Sequence, residues 1–214
     1  MPRAMPGLAS DFRVGNKRAL QLAAGIEASR TQLAKKARTR GYLPLSATEL
    51  VYELAYLRVF VAWEVFLQET FIRYLCGYRA AHGQEVPLSG TYFGTLASAH
   101  AAVLGHRQYL LWHNPTTVVN RAKGFLLNSQ HEIVVGSATA PLERFAAIRH
   151  RIAHAQEHAR REFDNATMTL AGKRYSGGRP GRFLRDWVPG AVPPVRWLEA
   201  ISSQLEGLAS QVTP

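Results

Sequence analysis

The amino-acid sequence predicts an all-α protein, and three observations support that prediction. Apolar residues recur every three or four positions over several stretches, which is the period of a helix packed on one side. Prolines stand where later helices should begin, a position at which their missing N–H costs nothing. Only one apolar run, H-E-I-V-V at residues 131–135, is ambiguous between a strand and a helix.

The composition bounds the size and the compartment of the protein. A chain of 214 residues, 47% of them hydrophobic, suits one domain with a terminal appendage. A single cysteine, Cys76, excludes an intrachain disulfide and fits a reducing compartment. The most apolar run, residues 54–67, is interrupted by Arg58 and Glu64, so it predicts a buried helix and no membrane span. The N-terminus lacks the apolar centre of a signal peptide, and we expect a cytoplasmic protein.

The first 45 residues form a predicted basic N-terminal arm, and residues 46–214 form the predicted helical domain. Residues 1–15 show no periodicity and are expected to be disordered, which makes the arm partly disordered. Residues 16–40 predict a basic helix that ends at Gly41. Its charge fits either a solvated helix face or a contact with nucleic acid.

The longest helix is predicted to begin at S-A-T-E, with Ser46 as N-cap and Glu49 closing a capping box. It should run to Gly77, or further to Gly83. Its predicted core face consists of apolar residues at helical spacing: Leu50, Leu54, Leu57, Val61, Trp63, Phe66, Leu67 and Phe71.

The second half of the chain continues this helical pattern. After a loop at 83–94, the predicted helices are 95–112, one opened by Pro115, one that runs from Pro141 as far as Phe163, and a last one after Pro194. Before the last helix, a Gly/Pro-rich basic segment predicts a short hairpin or an ordered loop.

The net charge of +11 is the strongest indication of a partner. Of the 26 basic residues, 21 are arginine, whose planar guanidinium pairs bidentately with phosphate and stacks on bases. This favours a polyanionic partner, most simply a nucleic acid. The alternative is a GC-rich genome, which enriches arginine and alanine together.

The most unusual stretch is R-H-R-I-A-H, residues 149–154, inside the helix opened by Pro141. On a helical wheel, His154 lies away from the apolar face. Four interpretations remain open: a solvated face, a metal site, phosphodiester chemistry, and a twofold interface. Zinc proteases need H-E-x-x-H, and here Arg151 occupies the position of that glutamate, so no metal is expected. An imidazole that moves a proton and an arginine that holds a phosphate suffice, in principle, to cleave RNA.

The same residues resemble the R-x4–6-H signature of the HEPN superfamily, helical proteins that include many metal-independent ribonucleases. Arg149, His150, Ala153 and His154 match its extended form, in which a polar residue follows the Arg and Ala precedes the His. Residues 57–75 and 179–187 are similar to segments of the RiboL-PSP-HEPN-like bacterial subfamily. The resemblance covers about residues 45–200 and implies a HEPN-like helical bundle.

The resemblance also implies a function. Members are homodimers in which two motifs meet at the interface, and many act as toxins or in anti-phage defence, some with a cognate antitoxin or defence partner. By this resemblance, Arg149 would hold the scissile phosphate, His154 would act as acid or base, and His150 would position or assist. The implied chemistry is attack of the 2′-OH on the adjacent phosphate, with no metal and no cofactor. HEPN-like domains that have lost activity serve as RNA-binding or scaffold modules, which is the alternative function.

Two further sets of residues complete the predicted site. Glu64 lies on a very apolar helix, where a buried carboxylate without a partner would be costly. It could orient Arg149 or His154, or form a salt bridge at the core surface. Five cationic side chains near or after the motif are expected to bind RNA: Arg151, Lys173, Arg174, Arg179 and Arg182.

Overall fold

The computed structural model describes residues 3–35, 43–80 and 86–214, and this part of the chain is mostly helical, so the all-α class is confirmed. The nine helices within these ranges are α1 Leu8–Lys35, α2 Leu45–Leu75, α3 Leu96–Leu104, α4 Pro115–Phe125, α5 Gln130–Ser137, α6 Thr139–Ala153, α7 Glu157–Ala171, α8 Pro180–Arg185 and α9 Trp197–Val212. Two short strands, β1 Arg3–Ala4 and β2 Tyr78–Arg79, pair in parallel. Within the described ranges, no helix combines the length and hydropathy needed to cross a bilayer.

The chain forms two compact units, each assembled from separated segments. The first unit consists of residues 1–13, 62–143 and 205–214, and the second of residues 14–61 and 144–204. The domain boundary predicted between residues 45 and 46 is not one of the divisions between these units, and it stays a prediction.

In the first unit, aromatic packing explains why α1 begins at Leu8. Phe12 is buried, with its ring centroid 6.1 Å from that of Trp63 and 5.8 Å from that of Phe66. Asp11 lies in the first turn, where a carboxylate interacts favourably with the helix dipole. The expectation of disorder up to residue 15 was therefore wrong from Leu8 onward. The predicted end of this helix at Gly41 lies outside the described residues.

The start of α2 differs from the predicted capping box. The helix begins at Leu45, and the Ala47 N–H donates to the Pro44 carbonyl. Glu49 is buried and forms an ion pair with Arg179, so its carboxylate does not cap the helix. The helix ends at Leu75, two residues before Gly77, which has a positive φ of 76°. The chain then enters β2, so continuation to Gly83 is excluded.

The predicted core face of α2 is correct for its second half and wrong for its first half. Trp63, Phe66, Leu67 and Phe71 are buried, whereas Leu50, Leu54 and Val61 are each about half exposed. The buried side chains of the first half lie on another face: Tyr52, Ala55, Tyr56, Val59 and Phe60. Apolar residues occupy two faces of this helix, so their spacing alone does not identify the core side.

In the second unit, the predicted helix from Pro141 to Phe163 is two helices. α6 ends at Ala153 and α7 begins at Glu157. Gln156, the N-cap of α7, has an extended backbone (φ −60°, ψ 149°), and this breaks the helix without a glycine or proline. Phe145, Ile148 and Phe163 are buried, as the helical pattern predicts.

The Gly/Pro-rich segment before the last helix contains the short helix α8, which the sequence interpretation missed. A Cβ on Gly181 would lie 2.2 Å from the Glu49 carbonyl oxygen, so only glycine allows α8 to pack this closely on α2. The Gly181 N–H donates to the Glu53 carboxylate at 2.8 Å. A single antiparallel bridge, Trp187 with Arg196, follows α8. Of the predicted RNA-binding residues, Arg182 therefore lies on a packed helix and Arg179 is its N-cap.

In the described part of the chain, three helices lie between α2 and α6, and the first of them, α3, is shorter than predicted. α3 ends at Leu104, eight residues before the predicted end at 112, and Gly105 follows with a φ of 56°. α4 begins at Pro115 as predicted, and the Asn114 side chain accepts from the Thr117 N–H. The ambiguous run at 131–135 belongs to helix α5.

Candidate functional site

The C-terminal end of α6 brings the motif histidines together. His150 lies in the last turn, and His154 is the first residue beyond the helix. Their ring centroids are 4.8 Å apart and the rings are nearly perpendicular, at 78°. His154 is exposed, while Arg149 and His150 are half-buried. Basic side chains are favoured here by the negative end of the helix dipole.

Glu162 of α7 joins His150 and His154 in a group that we call the histidine cluster. Sequence reasoning did not identify Glu162 as part of it. One carboxylate oxygen lies 2.9 Å from His150 Nδ1, and the other lies 3.0 Å from His158 Nε2. Because a carboxylate accepts, the His150 Nδ1–H donates and Nε2 remains able to take a proton when the ring is neutral. The i,i+4 pair of His158 and Glu162 was visible in the sequence, but its approach to His150 depends on the break at residues 154–156.

Arg151 holds the backbone beside the histidine cluster through two hydrogen bonds. Its Nε donates to the Gly178 carbonyl at 3.0 Å, and its Nη1 donates to the His154 carbonyl at 3.3 Å. Gly178 has a φ of 56°, and a Cβ there would lie 3.3 Å from Arg151 Nε. Arg151 therefore joins the backbone after α6 to the loop before α8. The RNA contact expected for Arg151 stays a prediction.

The four other predicted RNA-binding residues line one cavity of about 620 Å³ around α8, which we call the basic pocket. Its cationic side chains are Lys173, Arg174, Arg179, Arg182, Arg185 and Arg196. Two carboxylates, Glu49 and Asp186, also line it, so the positive charge exceeds the negative. The sequence interpretation identified four of the six cations and did not include Arg185, the last residue of α8, or Arg196, which forms the antiparallel bridge with Trp187.

Most of these cations are already paired within the fold. Lys173 Nζ lies 2.7 Å from Asp186, Arg179 pairs with Glu49, and Arg185 donates twice to Glu27 at 2.7 Å. Arg174 and Arg182 are exposed and form no ion pair with any side chain in the described ranges. These two arginines are the ones most available to a ligand.

The aromatic and acidic groups of the basic pocket are held in place by neighbouring charges. Trp187 is 51% exposed, and the Arg196 guanidinium carbon lies 4.2 Å from its ring centroid. Burial would raise the pKa of Asp186, but hydrogen bonds from Lys173 and Tyr175 outweigh it and lower that pKa. Burial and the Asp186 carboxylate raise the pKa of Tyr175.

Glu64 lies in the first unit, on α2. Its carboxylate is 3.9 Å from His113 Nδ1, and its side chain is 18% exposed. This contact fits the salt bridge that the sequence left open. The alternative role, orienting Arg149 or His154, stays a prediction.

Comparison with known proteins adds no identity. No protein-family model, no curated protein and no solved structure matches the chain. In the described ranges, no three His, Cys, Asp or Glu side chains are arranged to hold a metal ion. The resemblance to HEPN proteins stays a prediction, and the function has to be argued from the histidine cluster and the basic pocket.

Proposed function

We propose that the protein is a metal-independent, HEPN-like endoribonuclease of toxin or anti-phage defence type. One observation carries this proposal: two imidazoles whose centroids are 4.8 Å apart lie at the end of α6, beside Arg149, with one of them hydrogen-bonded to Glu162. Two imidazoles, each able to accept or donate a proton, thus lie in one cluster, and Arg149 precedes His150 in α6. Cleavage of RNA by attack of the 2′-OH on the adjacent phosphate requires these groups.

The chemistry follows from these three groups. One imidazole removes the proton of the ribose 2′-OH, and the resulting oxygen attacks the adjacent phosphorus. The bond from phosphorus to the 5′-oxygen breaks, and that oxygen takes a proton from the second imidazole. The products are a 2′,3′-cyclic phosphate and a 5′-OH end. Arg149 would hold the phosphate and stabilise the charge that develops on its oxygens.

The contacts of His150 and His154 suggest different roles. His154 is exposed and its backbone carbonyl is held by Arg151, which suits the group that meets RNA directly. His150 is held by Glu162, and this hydrogen bond fixes the orientation and the tautomer of the ring. We therefore assign His154 to direct proton transfer and His150 to positioning or to the second proton transfer.

The proposal includes a homodimer in which two R-x4–6-H motifs share one cleft. The support is that the histidine cluster lies at the protein surface, where a second copy can reach it. A cognate antitoxin or defence partner would then act by covering the same surface. RNA would be drawn in by the basic pocket, whose excess of cations predicts binding that weakens steeply with salt.

The first test is cleavage of total tRNA and of a defined single-stranded RNA in EDTA. We expect the wild type to cut and His154→Ala to lose activity by about 10²- to 10⁴-fold, the usual contribution of general acid–base catalysis. Glu162→Gln should lose about tenfold or more, because the charged hydrogen bond that holds His150 is replaced by a weaker neutral one. An oligonucleotide with a 2′-deoxy sugar at the cut site should resist cleavage.

The matched control is His158→Ala. His158 contacts Glu162 but is largely exposed and lies on α7, so its loss should change the rate little. Equal inertness of the wild type and His154→Ala, with RNA still bound, would contradict the nuclease proposal and favour the inactive RNA-binding or scaffold module.

A further inference from the structure

A second cationic cavity lies in the first unit, in the segment that joins α3 to α4. Its volume is about 490 Å³, within the range of pockets that bind small molecules, about 300–1,000 Å³. Its lining residues are Arg107, Gln108, Tyr109, Leu111, Thr117 and Arg121. Neither the histidine cluster nor the basic pocket contributes to it.

Arg121 is the unusual residue of this cavity. It is 7% exposed, and its Nε and Nη1 have no hydrogen-bond partner in the described part of the chain. Its guanidinium carbon lies 4.4 Å from the ring centroid of Trp112, which offers a π face but no acceptor. A buried charge that lacks a carboxylate is costly, and native proteins seldom retain one without a reason.

Arg107 increases that cost. It is exposed on the same cavity, and its charge interacts unfavourably with that of Arg121. Burial, and then the charge of Arg107, lower the pKa of Arg121. None of the lining residues, all of which the structure describes, is acidic. Two like charges without a counter-ion form an incomplete arrangement that an anion would complete.

The remaining lining residues indicate which kind of anion fits. Tyr109 is 69% exposed and offers a flat ring, and Leu111 adds apolar surface. Thr117 and Gln108 provide hydroxyl and amide groups for hydrogen bonds. In sites for single-stranded nucleic acids, aromatic rings stack on the bases while cationic side chains contact the phosphates.

We propose that this cavity binds a nucleoside phosphate, with the phosphate on Arg107 and Arg121 and the base against Tyr109. The nucleotide could be a free molecule or one residue of an RNA chain, because both present the same phosphate and base. The proposal does not rest on ribonuclease activity, since it uses only residues of the first unit.

The test measures binding by the full chain carrying His154→Ala, so that RNA is not consumed. The probes are the four nucleoside 5′-monophosphates, the matching nucleosides, inorganic phosphate and a single-stranded RNA oligonucleotide. We expect at least one monophosphate to bind about tenfold or more tightly than its nucleoside, because a charged hydrogen bond is lost without the phosphate. It should also bind more tightly than inorganic phosphate, which lacks the base.

Two variants of the cavity and one control decide the outcome. Arg107→Ala, a surface change, should weaken monophosphate binding about tenfold or more, whereas Arg58→Ala, an exposed arginine of α2 that lines neither cavity, should leave it unchanged. Arg121→Met should abolish binding while the ligand-free protein keeps or gains thermal stability, because a buried charge without an acceptor has been removed. A purely structural Arg121 would instead destabilise the protein when replaced.

The RNA probe separates the two sources of nucleotide. If RNA is the ligand, Arg107→Ala should weaken RNA binding and the monophosphate should compete with the oligonucleotide. If a free nucleotide is the ligand, Arg107→Ala should affect the monophosphate alone. The proposal is overturned if neither probe depends on Arg107, or if nucleoside and monophosphate bind equally.

Discussion

The two units of the molecule treat buried cationic side chains in opposite ways. In the second unit, Arg185 donates from Nε and Nη2 to the two oxygens of Glu27, which also lies 3.8 Å from Arg196. In the first unit, Arg121 packs against Trp112, and its buried Nε and Nη1 have no acceptor within the described chain. His131, also in the first unit, is a fully buried neutral side chain whose Nε2 contacts Thr70 and the Leu67 carbonyl, neither of which carries a charge.

This contrast distinguishes cations that are paired with carboxylates inside the fold from cations that remain available to a ligand. Arginines paired with carboxylates stabilise the second unit and contribute little net potential close to the surface. Arg121 stabilises no described partner of opposite charge, so its retention has to be explained otherwise. The count of 26 basic residues therefore overstates the number of cations that are available to RNA.

Replacing Glu27 should produce the largest change in stability. Its loss leaves Arg185 and Arg196, which are 25% and 15% exposed, without their carboxylate. Breaking a buried pair on one side costs several kcal/mol, and for this partly exposed cluster we expect about 2–4 kcal/mol for Glu27→Gln. Urea unfolding monitored by circular dichroism measures this.

The control for this prediction comes from the first unit. Arg121→Met removes a buried charge that has no described acceptor, so its free energy of unfolding should stay within about 1 kcal/mol of the wild type or increase. The double variant Glu27→Leu with Arg185→Met should recover part of the loss, since no uncompensated charge remains on that pair. If Glu27→Gln and Arg121→Met prove equally destabilising, the contrast between the two units is wrong.

His131 should give the first unit a distinct dependence on pH. Burial lowers the pKa of His131 from 6.5 to about 4, against the weaker opposing effect of the Leu67 carbonyl. The unfolded chain therefore binds a proton that the folded chain does not, and stability falls as the pH drops from 6.5 toward 4. The full shift corresponds to about 3 kcal/mol. Thermal unfolding at pH 7, 6 and 5 should show the decline.

His131→Gln keeps a hydrogen-bonding side chain without the titrating ring, and its stability should change little between pH 7 and pH 5. The second unit should respond to pH in a different range, and Glu27 is the reason. The hydrogen bond from Arg185 outweighs the effect of burial and lowers the pKa of Glu27 below 4.5. Its contribution is present above pH 4.5 and is lost only as the pH falls through that lowered pKa. If the stability of the wild type and that of His131→Gln depend on pH in the same way, His131 does not cause the decline.

The parts of the fold that depend on local chemistry were predictable from the sequence. H-N-P at residues 113–115 specifies an N-cap followed by proline, and α4 begins there. The break at residues 154–156 was not predictable, because A-H-A-Q-E-H contains neither glycine nor proline. The approach of Glu162 to His150 follows from that break. The sequence therefore indicated His150 and His154 of the histidine cluster but not Glu162.

Burial of polar side chains was the second limit. Nothing local to N-R-A-K, residues 120–123, indicates that Arg121 is covered, since Trp112 covers it from another segment. In the same way, Glu49 fits a capping box in the sequence, yet Arg179 draws its carboxylate into an ion pair 130 positions away along the chain. Long-range partners decide such side chains, and local patterns do not contain them.

The smallest expected effects concern the basic pocket and its two kinds of cation. Arg182 is exposed without an ion pair in the described ranges, so Arg182→Ala should weaken RNA binding a few-fold and reduce the salt slope by about one. Lys173 is held by Asp186 at 2.7 Å, so Asp186→Asn should release it and strengthen RNA binding a few-fold. Binding curves for one oligonucleotide at two salt concentrations measure both changes. If Asp186→Asn leaves the affinity unchanged or lowers it, RNA does not reach Lys173, and the pairing within the pocket serves the fold alone.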